Sequence, residues 1–221
     1  MYRSKIDAQL ARIRTACESI GRDPSEVTLI AVSKTHGAEA IEGVRQCGIS
    51  DFGESYVNDW KSKRDDVGTL RWHFIGHLQS NKAKDVCGRV ACLHSVDRMS
   101  LVKALAKEGA SQDVMIQVNV SVDAAKSGCK PNELPALLTA VAETTNLRAV
   151  GLMTIGALVE DAEDARPYFR ALRQLRDELN PAHPDLTLLS MGMSQDLEVA
   201  VEEGATHVRV GTAIFGPRGI R

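Results

Sequence analysis

Short apolar runs alternate with amphipathic segments along almost the whole chain, and this alternation constrains the fold more than any other feature. The apolar runs are rich in β-branched residues and are bounded by turn residues, as expected of strands buried on both faces of a parallel sheet. The segments between them place apolar residues three and four positions apart, which is typical of helices. The pattern therefore predicts an α/β protein in which each strand is followed by a helix.

Eight strand-like runs can be counted, and each of the first seven is followed by a helix-like segment. The strand-like runs are Val27–Val32, Asp51–Ser55, Trp72–Gly76, Cys92–Val96, Val114–Val120, Arg148–Ile155, Leu186–Met191 and His207–Phe215. The helix-like segments are Ala38–Gln46, Val57–Lys63, Ser80–Val86, Ser100–Lys107, Pro131–Thr144, Ala162–Leu179 and Gln195–Glu203. An open doubly wound sheet usually has about five or six strands, whereas eight β/α units close into a barrel.

An additional amphipathic helix is predicted before the first strand. Its apolar stripe consists of Ile6, Leu10, Ile13, Cys17 and Ile20. No linker rich in Pro, Gly or Ser divides the chain, and Gly109 and Gly204 stand where helices would end in a glycine cap. We therefore predict one domain over residues 1–221, a (β/α)8 TIM barrel with an extra N-terminal helix.

The charge balance and the cysteines exclude several classes of protein. Lys and Arg number 27 against 29 Asp and Glu, so the chain lacks the basic surface of proteins that bind nucleic acid or membrane surfaces. It contains no membrane-spanning apolar run, and its first twenty residues lack the apolar block of a signal peptide, so we do not expect secretion. Its five cysteines are widely spaced with no C-x-x-C pair, which indicates reduced thiols and no structural metal. We expect a cytoplasmic monomer.

Lys34 is the first candidate functional residue, because it directly follows the first strand. Active sites of such barrels lie at the carboxyl ends of the strands. A lysine projecting into the barrel mouth loses solvation, which lowers its pKa and favours the nucleophilic amine. The functional hypothesis is a lysine that forms a Schiff base. The simpler alternative is a strand-end lysine that reaches into solvent.

The ends of the seventh and eighth strands together predict an anion site. Met191 ends strand seven and Ser194 follows it, Gly192 allows close approach of a ligand, and Ser194 can cap the next helix. Gly211 and Thr212, on strand eight, can supply further donors. Phosphate sites in barrels are frequently built from these two loops. The alternative is an ordinary helix cap.

Three more side chains complete the candidate site, and together they indicate a cofactor. Arg209 on strand eight lies near Lys34 when the barrel closes, although an internal salt bridge would also explain it. His77 and Ser55, at the ends of strands three and two, are candidates for the rim. A Schiff-base lysine, a phosphate site and an arginine facing a ring nitrogen converge on pyridoxal 5′-phosphate.

Several motifs resemble those of the pyridoxal phosphate homeostasis protein family, which is similar in fold to the N-terminal barrel of alanine racemase. The matching segments are Ala31–Thr35, Phe52–Glu54, Trp72–Lys82, Ser190–Ser194 with Asp196 and Leu197, and Val208–Gly216. The resemblance implies a Schiff base at Lys34, phosphate contacts from Ser194, Gly211 and Thr212, and Arg209 at the pyridine nitrogen. It also implies a carrier or regulator of vitamin B6 pools, in transient contact with apo enzymes that use the cofactor.

The chain departs from the family pattern at two positions. Ser55 stands where the family usually has Asn, so a ring contact made by that amide is in doubt. His36 and Gly37 replace a proline after the lysine–threonine pair.

The main alternative function is an amino-acid racemase built on the same barrel. In alanine racemases a tyrosine from a second domain serves as the opposite base, and we expect this chain to lack that domain. A flavin- or phosphosugar-binding barrel would leave Lys34 and Arg209 unexplained. Lys126, in the loop after strand five, is either a solvated lysine or a second, weaker site for the cofactor. We therefore expect a carrier without efficient catalysis.

Overall fold

The computed structural model describes residues 2–121, 126–156 and 159–217. Eight parallel strands follow one another in chain order around a closed barrel, so the predicted (β/α)8 fold is confirmed. The strands are β1 Thr28–Val32, β2 Asp51–Glu54, β3 Arg71–Phe74, β4 Cys92–Val96, β5 Gln112–Gln117, β6 Leu147–Met153, β7 Leu188–Ser190 and β8 His207–Val210. Closure pairs β1 with β8 and places Ile30 beside Arg209.

Helices cover the outside of the barrel. They are α1 Tyr2–Ser19, α2 Ala38–Arg45, α3 Val57–Lys61, α4 Ala83–Val86, α5 Met99–Lys107, α6 Leu134–Ala142, α7 Arg166–Leu179, α8 Leu197–Glu202 and α9 Thr212–Phe215. Within the described part of the chain, no helix has both the length and the apolar character needed to cross a bilayer. Gly109 and Gly204 follow α5 and α8 with φ of 68° and 95°, as predicted for glycine caps.

Apolar side chains form two layers, one on each side of the strands. The outer layer fills the space between the strands and the helices, and includes Phe52, Phe74 and Phe169. The inner layer, inside the barrel, consists of Cys92, Met115, Val150 and Met153. Full burial of such a side chain contributes about 1.5–3 kcal/mol, so the outer layer supplies most of the apolar stabilisation.

The predicted extra helix is present as α1, and Ile6, Ile13 and Cys17 of the predicted stripe are buried, but the other two residues of the stripe are not. Leu10 is 38% exposed and Ile20 is 47% exposed, whereas Gln9 and Ala16 are buried. Ile20 lies outside the helix, which ends at Ser19. The buried face is turned toward α8 and α9, against which α1 packs.

The prediction that strand eight extends to Phe215 is wrong. β8 ends at Val210, and Thr212–Phe215 forms the short helix α9. Gly211, with φ of −111° and ψ of −82°, turns the chain out of the extended conformation, and its carbonyl accepts from Ile214 and Phe215. An apolar run of this length does not by itself distinguish a strand from a buried helical turn. The turn matters because it brings Gly211 and Thr212 to the barrel mouth.

Candidate functional site

The carboxyl ends of the strands open onto a cavity of about 1170 Å³. Seven of the eight residues predicted for the site line this cavity: Lys34, Ser55, His77, Ser194, Arg209, Gly211 and Thr212. Met191, the eighth, is fully buried in the outer apolar layer. Its N–H donates to the carbonyl of His207 and continues the β7–β8 pairing, and successive side chains of a strand point to opposite faces. Met191 therefore points away from the cavity.

Lys34 lies in a tight turn that directly follows β1. Thr35, the next residue, has a φ of 70°, in the left-handed region that non-glycine residues rarely adopt. Its N–H donates to Asp59 Oδ2 at 3.1 Å, and the N–H of His36 donates to the carbonyl of Ser33. These bonds fix the turn and hold the backbone of Lys34 at the cavity wall.

A buried ion pair under this turn was not predicted from the sequence. Lys63 Nζ lies 2.6 Å from Glu54 Oε1 and donates to the carbonyls of Ser33 and His36 at 3.0 Å each. Ser33 Oγ also donates to Glu54 Oε1 at 2.6 Å. Burial raises the pKa of Glu54, against the opposing effect of Lys63. The pair connects β2 and α3 to the turn that carries Lys34.

Arg209 is 5% exposed and lines the cavity from β8. Nη1 donates to Ser190 Oγ at 2.7 Å, and Nη2 donates to the carbonyl of Thr154 at 2.8 Å. No carboxylate of the described residues lies within ion-pair distance, so the alternative of an internal salt bridge is not what the structure shows. Burial lowers the pKa of Arg209 to about 10, which leaves the guanidinium charged at neutral pH.

The loop between β7 and α8 bends sharply at Gly192, whose φ is 89°. A Cβ at this position would lie 2.4 Å from Ala200 Cβ, so only glycine allows the loop to approach α8 this closely. The N–H of Met193 donates to Asp196 Oδ1 at 2.6 Å. The prediction that Ser194 caps the helix is wrong, because α8 begins at Leu197 with Asp196 at the N-cap position.

Arg12 of α1 holds the same loop from outside the barrel. Its Nη1 donates to the carbonyl of Ser194 at 3.0 Å, and its guanidinium makes bonds of 2.6 and 2.7 Å to Glu198. The extra N-terminal helix thus contacts the loop predicted to bind the anion. The sequence offered no sign of this contact, because Arg12 lies far from Ser194 along the chain.

The remaining predicted residues lie at the rim of the cavity. His77 is half exposed, with Nδ1 3.7 Å from Asp97 Oδ2. Ser55 lies against Gly76, where a Cβ would come within 2.1 Å of the Ser55 carbonyl oxygen. Lys126 Nζ donates to the carbonyl of Gly156 at 3.2 Å, so this lysine is held to the loop after β6. Its role as a second cofactor site stays a hypothesis.

Three histidines inside the barrel were not recognised as a group from the sequence. His73, His94 and His207 come from β3, β4 and β8, and their ring centroids lie 5.0 to 5.9 Å apart. Residues of β3 and β8 meet only across the barrel interior, since two strands separate them along the wall. Alternation of side chains along the strands is the signal that could have assigned them to the interior.

The chemistry of the cavity wall suits a small anionic aldehyde with a ring nitrogen. The wall supplies the Lys34 amine, the buried Arg209 guanidinium and the hydroxyl groups of Ser194 and Thr212. A guanidinium only donates hydrogen bonds, so it suits an unprotonated ring nitrogen as acceptor. Among the described residues, no group of three or more His, Cys, Asp or Glu is placed to hold a metal ion.

Comparisons with known proteins agree with this chemistry. The family model described as alanine racemase, N-terminal domain, matches residues 4–219. The pyridoxal phosphate homeostasis protein of Aquifex aeolicus is 44% identical over 97% of this chain and 97% of its own length. The structure of PipY from Synechococcus elongatus with pyridoxal phosphate (PLP) bound is 36% identical, with a TM-score of 0.79 over 92% of this chain and 100% of PipY.

A more distant comparison concerns the fold alone. The alanine racemase of Corynebacterium glutamicum superposes with a TM-score of 0.67 at 19% identity. The match covers 97% of this chain but 62% of the racemase.

Proposed function

The chain belongs to the pyridoxal phosphate homeostasis protein family, and on this basis we propose that it binds pyridoxal 5′-phosphate reversibly and buffers or carries it. The observation that carries the proposal is the presence of Lys34, Arg209, Ser194 and Thr212 in the wall of one cavity. The PLP-bound relative, 36% identical to this chain, supports the same ligand.

Each group in the wall has a role in the proposal. When bound, the cofactor supplies an aldehyde, which forms a Schiff base with a lysine amine on loss of water. Lys34 provides that amine, and the Lys63–Glu54 pair fixes the turn that presents it. Ser194, Gly211 and Thr212 donate to the phosphate, while Arg209 donates to the ring nitrogen. Ser55 and His77 contact the ligand from the rim.

We also propose that the protein retains the cofactor without efficient turnover. Arg209 is a cationic donor, and a cation beside the ring nitrogen disfavours protonation of the ring, which weakens it as an electron sink. We propose a cytoplasmic monomer that meets apo enzymes transiently. All five cysteines are unpaired, as expected in a reducing compartment.

Spectroscopy with chemical trapping tests the assignment of Lys34. Purified protein loaded with pyridoxal phosphate should show the visible band of a Schiff base, and Lys34→Ala should abolish it while the fold stays intact. Borohydride converts the C=N bond to a stable amine, so peptide mapping then locates the pyridoxyl group. Lys82→Ala, which removes a partly exposed lysine after β3, should keep the band.

Two outcomes would contradict the proposal. A pyridoxyl group found mainly on another residue of the wild-type protein would refute the role of Lys34. A wild-type protein that does not take up pyridoxal phosphate would refute the function itself.

A further inference from the structure

Five polar side chains form a hydrogen-bonded chain through the interior of the barrel. Arg209 Nη1 lies 2.7 Å from Ser190 Oγ, which lies 2.9 Å from His94 Nδ1. His94 Nε2 lies 2.9 Å from His73 Nδ1, and His73 Nε2 lies 2.9 Å from Asp51 Oδ1. Arg209 lines the cavity, whereas Asp51 begins β2 at the opposite face. The chain therefore connects the two ends of the barrel.

The two end groups fix the direction of the first and last bonds in this chain, because a guanidinium can only donate and a carboxylate can only accept. Arg209 donates to Ser190, and His73 donates from Nε2 to Asp51. A neutral His94 that accepts the Ser190 proton at Nδ1 carries its own proton on Nε2 and donates it to His73 Nδ1. In this arrangement every bond runs in one direction, from Arg209 to Asp51.

Neighbouring groups favour the uncharged form of His94 and the ionised form of Asp51. Burial lowers the pKa of His94 well below its ordinary value, and the nearby His73, His207 and Arg209 lower it further. Burial of Asp51 acts to raise its pKa, but hydrogen bonds from His73, Ser50 and Arg71 hold that pKa well below its ordinary value. The chain thus runs from a cation at the cavity to an anion at the far face.

Filling space does not explain this arrangement. The inner apolar layer shows that Cys, Met and Val side chains fill the barrel interior elsewhere. His94 and Ser190 are fully buried, and an unpaired buried polar group would cost about 1–3 kcal/mol. Hydrogen bonds in a series polarise one another, so the carboxylate at one end strengthens the bond that Ser190 accepts at the other.

We propose that this chain sets the position and donor strength of the Arg209 guanidinium from the far face of the barrel. His73, His94 and Ser190 are then positioning residues for the cofactor site, and Asp51 is their remote anchor. The proposal rests on the proposed function only for the identity of the ligand that Arg209 meets.

Asp51→Asn tests the chain at the end farthest from the cavity, and Asp113→Asn is its matched control. Asp51 pairs with Arg71 on the neighbouring strand at 3.0 Å, and Asp113 pairs in the same way with Arg148 at 2.8 Å. Asp113 has no part in the chain. Both changes remove one carboxylate at the amino end of a strand, so any difference between the variants reports the chain.

The first measurement uses the protein without ligand. Nitrogen NMR of ¹⁵N-labelled wild-type protein should show Nε2 protonated in both His73 and His94, and Nδ1 of His94 without a proton. Asp51→Asn should shift the side-chain signals of His94 and Arg209, and Asp113→Asn should leave them in place. Asp51→Glu keeps the carboxylate and should restore most of the wild-type pattern.

The second measurement is a titration with pyridoxal phosphate. Changes along a coupled network alter binding by about 2- to 30-fold, and we expect Asp51→Asn to weaken binding within that range. Asp113→Asn should bind as tightly as the wild type. Far-UV circular dichroism checks folding. If Asp51→Asn does not fold, Ser190→Ala interrupts the chain at its other end and takes its place.

Either measurement can overturn the proposal. Signals of Arg209 and His94 that respond equally to Asp51→Asn and Asp113→Asn would show that the chain does not couple the two faces. Equal affinity in the two variants would show that the coupling does not reach the ligand. A wild-type protein that does not bind pyridoxal phosphate contradicts the proposed function instead, and the NMR measurement still decides whether the chain exists.

Discussion

Ser194 and Thr212 are two hydroxyl residues on neighbouring loops that line the same cavity. If they donate to the phosphate, each lost charge-assisted bond costs roughly 1.5–3 kcal/mol. Replacing both by alanine should therefore weaken the binding of pyridoxal phosphate at least about 100-fold, and the binding of unphosphorylated pyridoxal much less. Fluorescence titration with both ligands measures the difference. Ser127→Ala, which alters the wall near β5, should affect neither. Equal weakening of both ligands would mean that these hydroxyl groups do not contact the phosphate.

The lowered pKa of His207 leads to a prediction of how the free energy of unfolding changes in acid. Burial lowers its pKa to about 4, whereas an unfolded histidine titrates near about 6.5. Between about pH 4 and about pH 6.5 the unfolded chain therefore binds more protons than the folded protein. The contribution of His207 to the free energy of unfolding is complete above about pH 6.5 and is lost as the pH falls to about 4. The shift corresponds to about 3 kcal/mol.

Urea unfolding at several pH values between 7 and 4 measures this effect. The His207→Gln variant should lose less stability across the window than the wild-type protein. His183→Gln, in the loop between α7 and β7, should behave as the wild type. Parallel losses in all three proteins would assign the acid sensitivity to other groups.

Charged residues in or next to buried apolar runs were singled out from the sequence, and the histidines inside such runs were not. Lys34 and Arg209 stood out because a charged side chain beside buried apolar residues needs an explanation. His73 and His94 lie within such runs, and their importance depends on which strands face each other across the barrel. The ion pair of Lys63 could not be predicted for a similar reason, since its partner Glu54 lies on a different element.

At the scale of elements, α1 is a support for the loop between β7 and α8. Arg12→Met keeps the apolar part of the side chain but removes its bonds to Ser194 and Glu198. Partly exposed ion pairs contribute about 0–1 kcal/mol, so global stability should change little. Binding of pyridoxal phosphate should weaken about 2- to 30-fold, because the loop loses a contact that holds it.

Arg45→Met is the control for this change. Arg45 makes an ion pair of similar exposure with Glu42 on α2, far from the β7–α8 loop. Thermal unfolding and titration of both variants separate a general loss of stability from a local one. Equal affinity of the two variants for pyridoxal phosphate would show that α1 does not contribute to binding.

The succession of elements followed from the sequence, and their ends did not. Each buried strand was visible as an apolar run between turn residues, so the eight strands and the closed barrel were predicted. The turn at Gly211 was missed because Ala213, Ile214 and Phe215 are as apolar as a strand. The buried face of α1 was predicted at Ile6, Ile13 and Cys17 but not at Leu10 and Ile20, which are exposed.

At the scale of the whole molecule, the number of proton-transfer groups in the cavity leads to a prediction about turnover. Racemisation needs a proton-transfer group on each face of the reacting carbon, and each contributes about 10²–10⁴-fold. Lys34 can supply one. Tyr56, the tyrosine that lines the cavity among the described residues, is 57% exposed at the rim. We therefore expect loaded protein to form at most traces of D-amino acid from L-alanine and other common L-amino acids.

Chiral chromatography after long incubation tests this expectation. Lys34→Ala serves as the control for background reaction. Sustained formation of the D-isomer by the wild-type protein, absent from this control, would make the protein a racemase.

The contact between α1 and α8 also sets an order of events during synthesis. Arg12 and Glu198 lie 186 residues apart in the chain. A ribosome adds about 5–20 residues per second, so α8 emerges roughly 10–40 s after α1. Throughout that interval the buried face of α1 lacks the α8 surface against which it later packs. A nascent chain therefore exposes the apolar face of this amphipathic helix to solvent, or to a chaperone, until α8 has been made.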